Sequence, residues 1–396
     1  MARKFFGLIL TLAFMAQVPQ CLAEQSLNRV ELSDPLNETL IYLLSFADPD
    51  KQPPAQIDPD RIDILLNFVL ADKPRGQAYV PEKIRSAPAA YMEERFNVSL
   101  KQLLALAYNP RIPSVLTAPN SVRKTQWRKV NGKLQQLPDM QTMLEHLQTP
   151  VVLTGVEFIE NTPDTFSGAY YDYELNRTLI LMKHRNRNVF ISLSSQRDKS
   201  GVGKKGIITG EDRNLDYVYT GKPGLNMAGI GWVKSYMYDS MAVTVYCELN
   251  SEVPAVKAGF FKWVRAGWAG LNIVRTDHIY SGLKRFLPNY KKILESEESR
   301  RTAAIESMCD RIESLSTEQL RQTTRNLFNR MIAYYTDDPE VSIPKLKKIL
   351  LESNYVDDLG RLDMQSLLLV EYAKQLLGLA YHTDVRKLSI TGMTPD

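Results

Sequence analysis

Hydrophobic positions along the chain change their period near residue 150. Before that point the apolar residues recur at helical spacing. Leu36 to Phe46 predicts one helix. Asp58-Pro59 opens a second, because an Asp side chain can cap the free N–H groups and Pro suits the first helical position. Its stripe is Ile62, Leu65, Leu66, Val69 and Leu70. Ser99 caps a third, with Leu100, Leu103, Leu104 and Ala107 facing inward. Prolines 49, 53, 54, 74, 81, 88, 110 and 113 cut these pieces apart, so residues 24–113 read as a helical, proline-rich segment wrapped on a neighbour. Residues 121–130 predict a strand and Asn131-Gly132 a turn. A short helix follows over 138–147, carrying Met140, Met143, Leu144 and Leu147 on one side.

From Pro150 the period is two. Strands are predicted at 151–159, 169–175, 178–183, 189–194, 215–220, 230–238 and 242–249. Asn176-Arg177 reads as a hairpin turn, His184 to Asn188 as a second, and 200–206 as a mobile loop. Val189, Ile191 and Leu193 face one way while Ser192 and Ser194 face the other, as in an antiparallel sheet with one drier and one wetter face. Glu252-Val253-Pro254 breaks the sheet. A long helix is then predicted from Ala255 to Leu294, kinked near Gly282, and helices resume over 299–381, where Ser316 and Gln319 form a capping box. The expected fold class is α+β, with a central antiparallel sheet packed on a long C-terminal helix (domain 114–295) and helical segments on both sides (24–113 and 296–396).

The first 23 residues read as a secretory signal: Arg3 and Lys4, an apolar run Phe5 to Val18, and small residues at the Cys21-Leu22-Ala23 cleavage site. A lipoprotein acylated at Cys21 and an uncleaved anchor are the alternatives. The chain is therefore expected to be exported, periplasmic or secreted. Its net charge of +4 gives no case for nucleic acid. Cys247 and Cys309 would remain after cleavage. An oxidising compartment would permit a disulfide closing a loop of about 60 residues, worth roughly 4 kcal/mol. The other reading is two small buried apolar side chains.

The order of elements (one strand, one or more helices, about six antiparallel strands, a long C-terminal helix) is similar to the helix-grip architecture of the START-type lipid-binding superfamily, over residues 114–294. That resemblance implies a curved sheet around a helix, an apolar cavity between them, a lipid or other apolar ligand, and no catalytic residues. It rests on element order and on no motif. The ligand-binding candidates are Tyr171, Tyr173, Trp232, Tyr236, Phe260, Trp263, Arg265 and Trp268. Strand tyrosines also serve as cross-strand pairs, and the Phe260–Trp268 stretch also suits a core element or an interfacial helix making peripheral membrane contact. Lys257, Lys262 and Arg265 exclude a transmembrane span there.

Catalytic patterns are weak. Asp277-His278 with Ser281 lacks nucleophile-elbow glycines. Gly201 to Gly206 lacks the phosphate-loop spacing. The carboxylates Glu157, Glu160, Asp172 and Glu174 have no separation fixed by sequence. The four histidines are scattered, so no metal and no cofactor is expected. The alternatives to ligand binding are an envelope scaffold that binds a partner protein through its helical flanks and, third, a hydrolase of unknown class.

Overall fold

The computed structural model describes residues 28–48, 56–74, 76–133, 136–227, 231–351 and 354–388. The predicted signal peptide lies outside them. The chain is α+β. In order the elements are β1 (Asn28–Glu31), α1 (Asp34–Leu44), α2 (Pro59–Leu70), β2 (Gln77–Val80), β3 (Ala89–Phe96), α3 (Leu100–Ala107), α4 (Ser114–Thr117), β4 (Val122–Val130), α5 (Met140–Glu145), β5 (Val151–Asn161), β6 (Ala169–Tyr170), β7 (Asp172–His184) and β8 (Arg187–Gln196). There follow β9 (Lys204–Ile208), β10 (Tyr217–Pro223), β11 (Leu225–Met227), β12 (Gly231–Val233), β13 (Ser235–Glu248), β14 (Val256–Trp268), β15 (Leu271–Asn272) and α6 (Thr276–Leu294). The chain ends in α7 (Thr302–Ser314), α8 (Thr317–Tyr334), α9 (Ile343–Leu350), α10 (Tyr355–Asp358) and α11 (Arg361–Leu377).

One antiparallel sheet organises these elements. Its strand order is β14-β13-β8-β7-β5-β4, and β3 and β15 pair with the outer side of β14. The sheet is open. A three-stranded piece (β10-β9-β6) and the β11-β12 hairpin stand apart from it.

Period two puts alternate residues on opposite faces, and both faces are covered. On one, Leu40, Leu43, Ile62, Leu65 and Val69 of α1 and α2 meet Val189, Ile191, Leu193, Val243, Val245 and Phe261. The other face carries Ser192 and Ser194, and it looks toward α3, α6 and the C-terminal helices. The alternation expected for 189–194 is therefore present, with the apolar side against α1 and α2.

Three expectations need correction. Residues 256–268 are a strand, and the helix is confined to Thr276–Leu294. A run buried on both faces shows no amphipathic period, so helix and strand look alike there. Glycines in this strand allow close approach: a side chain at Gly259 would collide with Val69 of α2, and one at Gly267 with the Leu271 carbonyl. Ala269 and Gly270, both at positive φ, turn β14 into β15.

Second, residues 89–96, placed in a helical segment, form β3, which adds eight residue pairs to β14. Pro88 sits just before the strand, where a missing N–H costs the ladder nothing. Third, Asn176-Arg177 is not a turn. β7 runs through it, and the positive φ values of a tight hairpin fall at Arg185 and Asn186, joining β7 to β8.

Cys247 and Cys309 are both free and buried. They sit in different cores, Cys247 under α1 and α2 and Cys309 among the C-terminal helices. The capping box forms as expected, with Gln319 N–H donating to Ser316 Oγ and Ser316 N–H to Gln319 Oε1. Among the described residues no helix is long and apolar enough to cross a membrane.

Candidate functional site

A cavity of about 950 Å³ lies between the second face of the sheet, α6, and the segment 107–118. That is the upper end of the range usual for small-molecule sites, about 300–1,000 Å³. The strands contribute alternate residues to it: Glu157 and Ile159 from β5; Tyr173, Leu175 and Arg177 from β7; Ala242, Thr244 and Tyr246 from β13; Phe260, Lys262, Val264 and Ala266 from β14. From α6 come Ile279, Leu283, Phe286 and Tyr290. Phe286 meets Phe260 edge-on, with ring centres 6.0 Å apart, and the Tyr290 and Tyr246 hydroxyls are 3.2 Å apart. At one margin Phe166, 71% exposed, stacks on His278.

The floor is built from a single cross-strand row. Lys262 pairs with Ala242, Ala242 with Ser194, and Ser194 with Arg177. Two long cations thus stand at the ends of the row, about 14 Å apart at the backbone, from three strand spacings of about 4.8 Å. The two middle positions are small, which leaves the hollow.

The two cations are treated differently. Arg177 Nε donates to Glu157 Oε2 at 2.8 Å, Nη2 contacts the same oxygen, and Nη1 donates to Ser192 Oγ at 3.2 Å. Burial opposes the guanidinium charge, but the Glu157 carboxylate outweighs it and raises the Arg177 pKa. Lys262 has no such partner. Its ammonium donates to Ser240 Oγ at 2.8 Å and forms no salt bridge among the described residues. Burial, and secondly the nearby Arg177 charge, push its pKa down to about 8. Burial also raises Tyr173 to about 12, so its hydroxyl stays protonated at neutral pH.

The sequence candidates separate by face. Tyr171, Tyr173 and Phe260 line the cavity. Trp263 points the other way, buried under α2, and its indole donates to the Glu82 carbonyl at 2.8 Å. Arg265 is held by Asp239 at 2.7 Å and lies over Tyr238. Tyr236 is half-buried beneath Lys199. Trp268 ends β14 opposite Ser235, and Trp232 is exposed on β12. None of these five lines the cavity. Trp263, Arg265 and Trp268 belong to the stretch expected as a helix, which is a strand. Trp232 and Tyr236 are expected as strand aromatics, and neither faces the cavity. Arg177 and Thr244 are cavity residues that no sequence pattern singles out as ligand contacts. A period-two reading of 256–268 would have placed Lys262 beside Phe260.

The catalytic patterns do not assemble. Asp277 pairs with Arg29 at 2.6 Å, while His278 contacts Phe166 and Arg275. Glu157 is held by Arg177, Glu160 by Arg123, Asp172 by Lys204 at 2.8 Å and Glu174 by Arg197 at 3.9 Å. The stretch 200–206, expected as a mobile loop, enters β9 at Lys204, and the Gly201, Gly203 and Gly206 amides already donate to backbone carbonyls. No group of metal-ligating side chains occurs among the described residues.

A second buried cluster lies between the C-terminal helices and the turn before β10. Lys374 donates to Asp216 at 2.5 Å and to Glu371 at 2.7 Å. His382 Nε2 is 3.0 Å from both Asp216 oxygens. Tyr335 donates to Asp216 at 2.9 Å, and the His382 and Thr383 amides donate to Glu371. Compared with known protein families and with curated proteins, the chain matches none.

Proposed function

We propose that this chain is an exported, non-enzymatic protein that binds an apolar or amphipathic small molecule, of lipid character, between its sheet and α6. The observation that carries the reading is the cavity of about 950 Å³ with aliphatic and aromatic residues of β14 and α6 on opposing walls. Apolar wall left against water is unfavourable, and an apolar ligand would cover it. The element order adds support. Within 114–294 the order is β4, the short helix α5, the sheet strands β5, β7, β8, β13 and β14, and the helix α6. This is near the order on which the likeness to START-type helix-grip domains rests, with five strands after the first helix where about six are expected. The reading asks no chemistry of the site, and every carboxylate considered for catalysis is held by a cation. An exported location rests on the predicted signal peptide.

Lipid extraction and native mass spectrometry of the purified protein are expected to find a co-purifying apolar molecule. The delipidated protein should bind the neutral dye Nile red, and Ala242→Trp, which fills the floor, should abolish that binding. A delipidated protein that takes up no Nile red overturns the reading.

A further inference from the structure

We infer that the ligand carries a single negative charge, a carboxylate, which lies over Ala242 and Ser194 between Lys262 and Arg177. This deepens the cavity-binding reading and rests on it.

Three observations carry the inference. The first is charge balance. At the floor of the cavity Arg177 and Lys262 stand against one carboxylate, Glu157, which leaves one positive charge in excess there. Asp164 and Arg285 line the cavity near Phe166 and α6, and Arg285 is paired with Asp212. The second is hydrogen-bond capacity. An ammonium has three donors, and Lys262 spends one on Ser240 Oγ. A charge taken out of water without a partner is unfavourable, and Lys262 lies on a central stretch of β14 with neighbouring strands on both sides. The third is the floor. Between the two cations lie Ala242 and Ser194, with Ser192, Ser240 and Thr244 in the adjoining rows. Small and hydroxyl-bearing residues there leave room for a planar head group and can donate to it. Phe260, Ile279, Leu283 and Phe286 supply an apolar stretch of wall that suits a hydrocarbon body. A dianion would reverse the imbalance, and a cation would add to it.

The competing clusters do not offer this. Asp216, Glu371, Lys374 and His382 satisfy one another, and the void that Asp216 and Glu371 border measures only about 20 Å³. Arg123 and Lys124 share Glu160 and Asp363.

The experiment is competition of oleate and of oleyl alcohol against Nile red on the delipidated full chain. Oleate is expected to displace the dye at concentrations at least tenfold lower than oleyl alcohol at pH 7. That ratio should collapse in Lys262→Met and persist in Lys262→Arg. It should also shrink as the pH is raised through 8 to 9, where the ammonium loses its proton. Equal displacement by oleate and oleyl alcohol in the wild-type protein, with Nile red bound, overturns the charge assignment and leaves the cavity reading intact. An unchanged ratio in Lys262→Met overturns the role of that lysine. Failure of Nile red to bind removes the underlying reading, and this inference with it.

Discussion

Two lysines of the molecule sit in opposite settings, Lys374 buried and Lys262 half-buried beside the cavity. Lys374 is fully enclosed, and two carboxylates accept from its ammonium with a histidine alongside. Lys262 borders a large cavity and has one serine hydroxyl. The first arrangement is complete in itself and leaves no space. It fastens α8 and α11 to the turn before β10 and explains itself as a clasp. The second is incomplete and surrounded by space. The lesson is that burial of charge does not mark a site; burial with an unmet partner and room beside it does.

Mutations can break this contrast. Lys374→Met leaves Asp216 and Glu371 buried without their cation, and should cost about 3–5 kcal/mol, read as a drop in chemical-denaturation midpoint. Lys262→Met should do the reverse. Removing an unpaired desolvated ammonium is expected to stabilise the ligand-free protein by about 2 kcal/mol at pH 7. A destabilised Lys262→Met variant would show that the lysine is satisfied in the fold.

The pH dependence sharpens the same contrast. Lys262 has its folded pKa at about 8, below the unfolded value of about 10.4. Below pH 8 both states carry the proton and the fold bears the full cost. Between pH 8 and about 10.4 the folded state releases it first, so wild-type stability should rise relative to Lys262→Met. For Asp216, burial opposes the charge, but the His382 hydrogen bond and Lys374 prevail and lower the pKa. Its contribution is present above the unfolded value and is lost as the pH falls through the lower folded one. For Lys374, burial again opposes the charge, but Asp216 and Glu371 raise the pKa. That contribution is full below the ordinary lysine value and fades only when the pH passes the raised one. Acid titration of wild type against Lys374→Met, followed by circular dichroism, separates the clasp from the cavity. The smallest effect is expected at the margin: Phe166→Ala, by removing the ring on His278, should speed Nile red release by less than about tenfold, from aromatic contact energies of about 0.5–1.5 kcal/mol.

Where an element alternates polar with apolar side chains, or carries its apolar ones in a stripe, its type is legible in the sequence even when both faces are covered. The alternation of Val189, Ile191 and Leu193 with Ser192 and Ser194 gave β8 and its dry face. The stripe of Ile62, Leu65, Leu66 and Val69 gave α2. β14 was misread because α2 and α1 cover one face and the cavity wall forms the other, so Phe260, Phe261 and Trp263 are all buried. β3 was missed because Glu93, Glu94 and Arg95 interrupt its apolar pattern. Those charges are spent locally, Glu93 on Lys73 and Glu94 on Lys291. The site was only half visible. Phe260, Tyr171 and Tyr173 could be picked out as aromatics, but the cation row needs the register of four strands, which no local spacing encodes.

The pairing of β3 with β14 has a practical consequence. The chain cannot be trimmed to its central region without harm. A fragment beginning at residue 114 would leave Val256 to Trp263 with a bare ladder edge, since all eight of those residues lose their neighbours on β3. Unpaired edges of that length recruit other copies, so such a fragment should precipitate or form fibrils, whereas one that retains residues 89–96 should stay in solution.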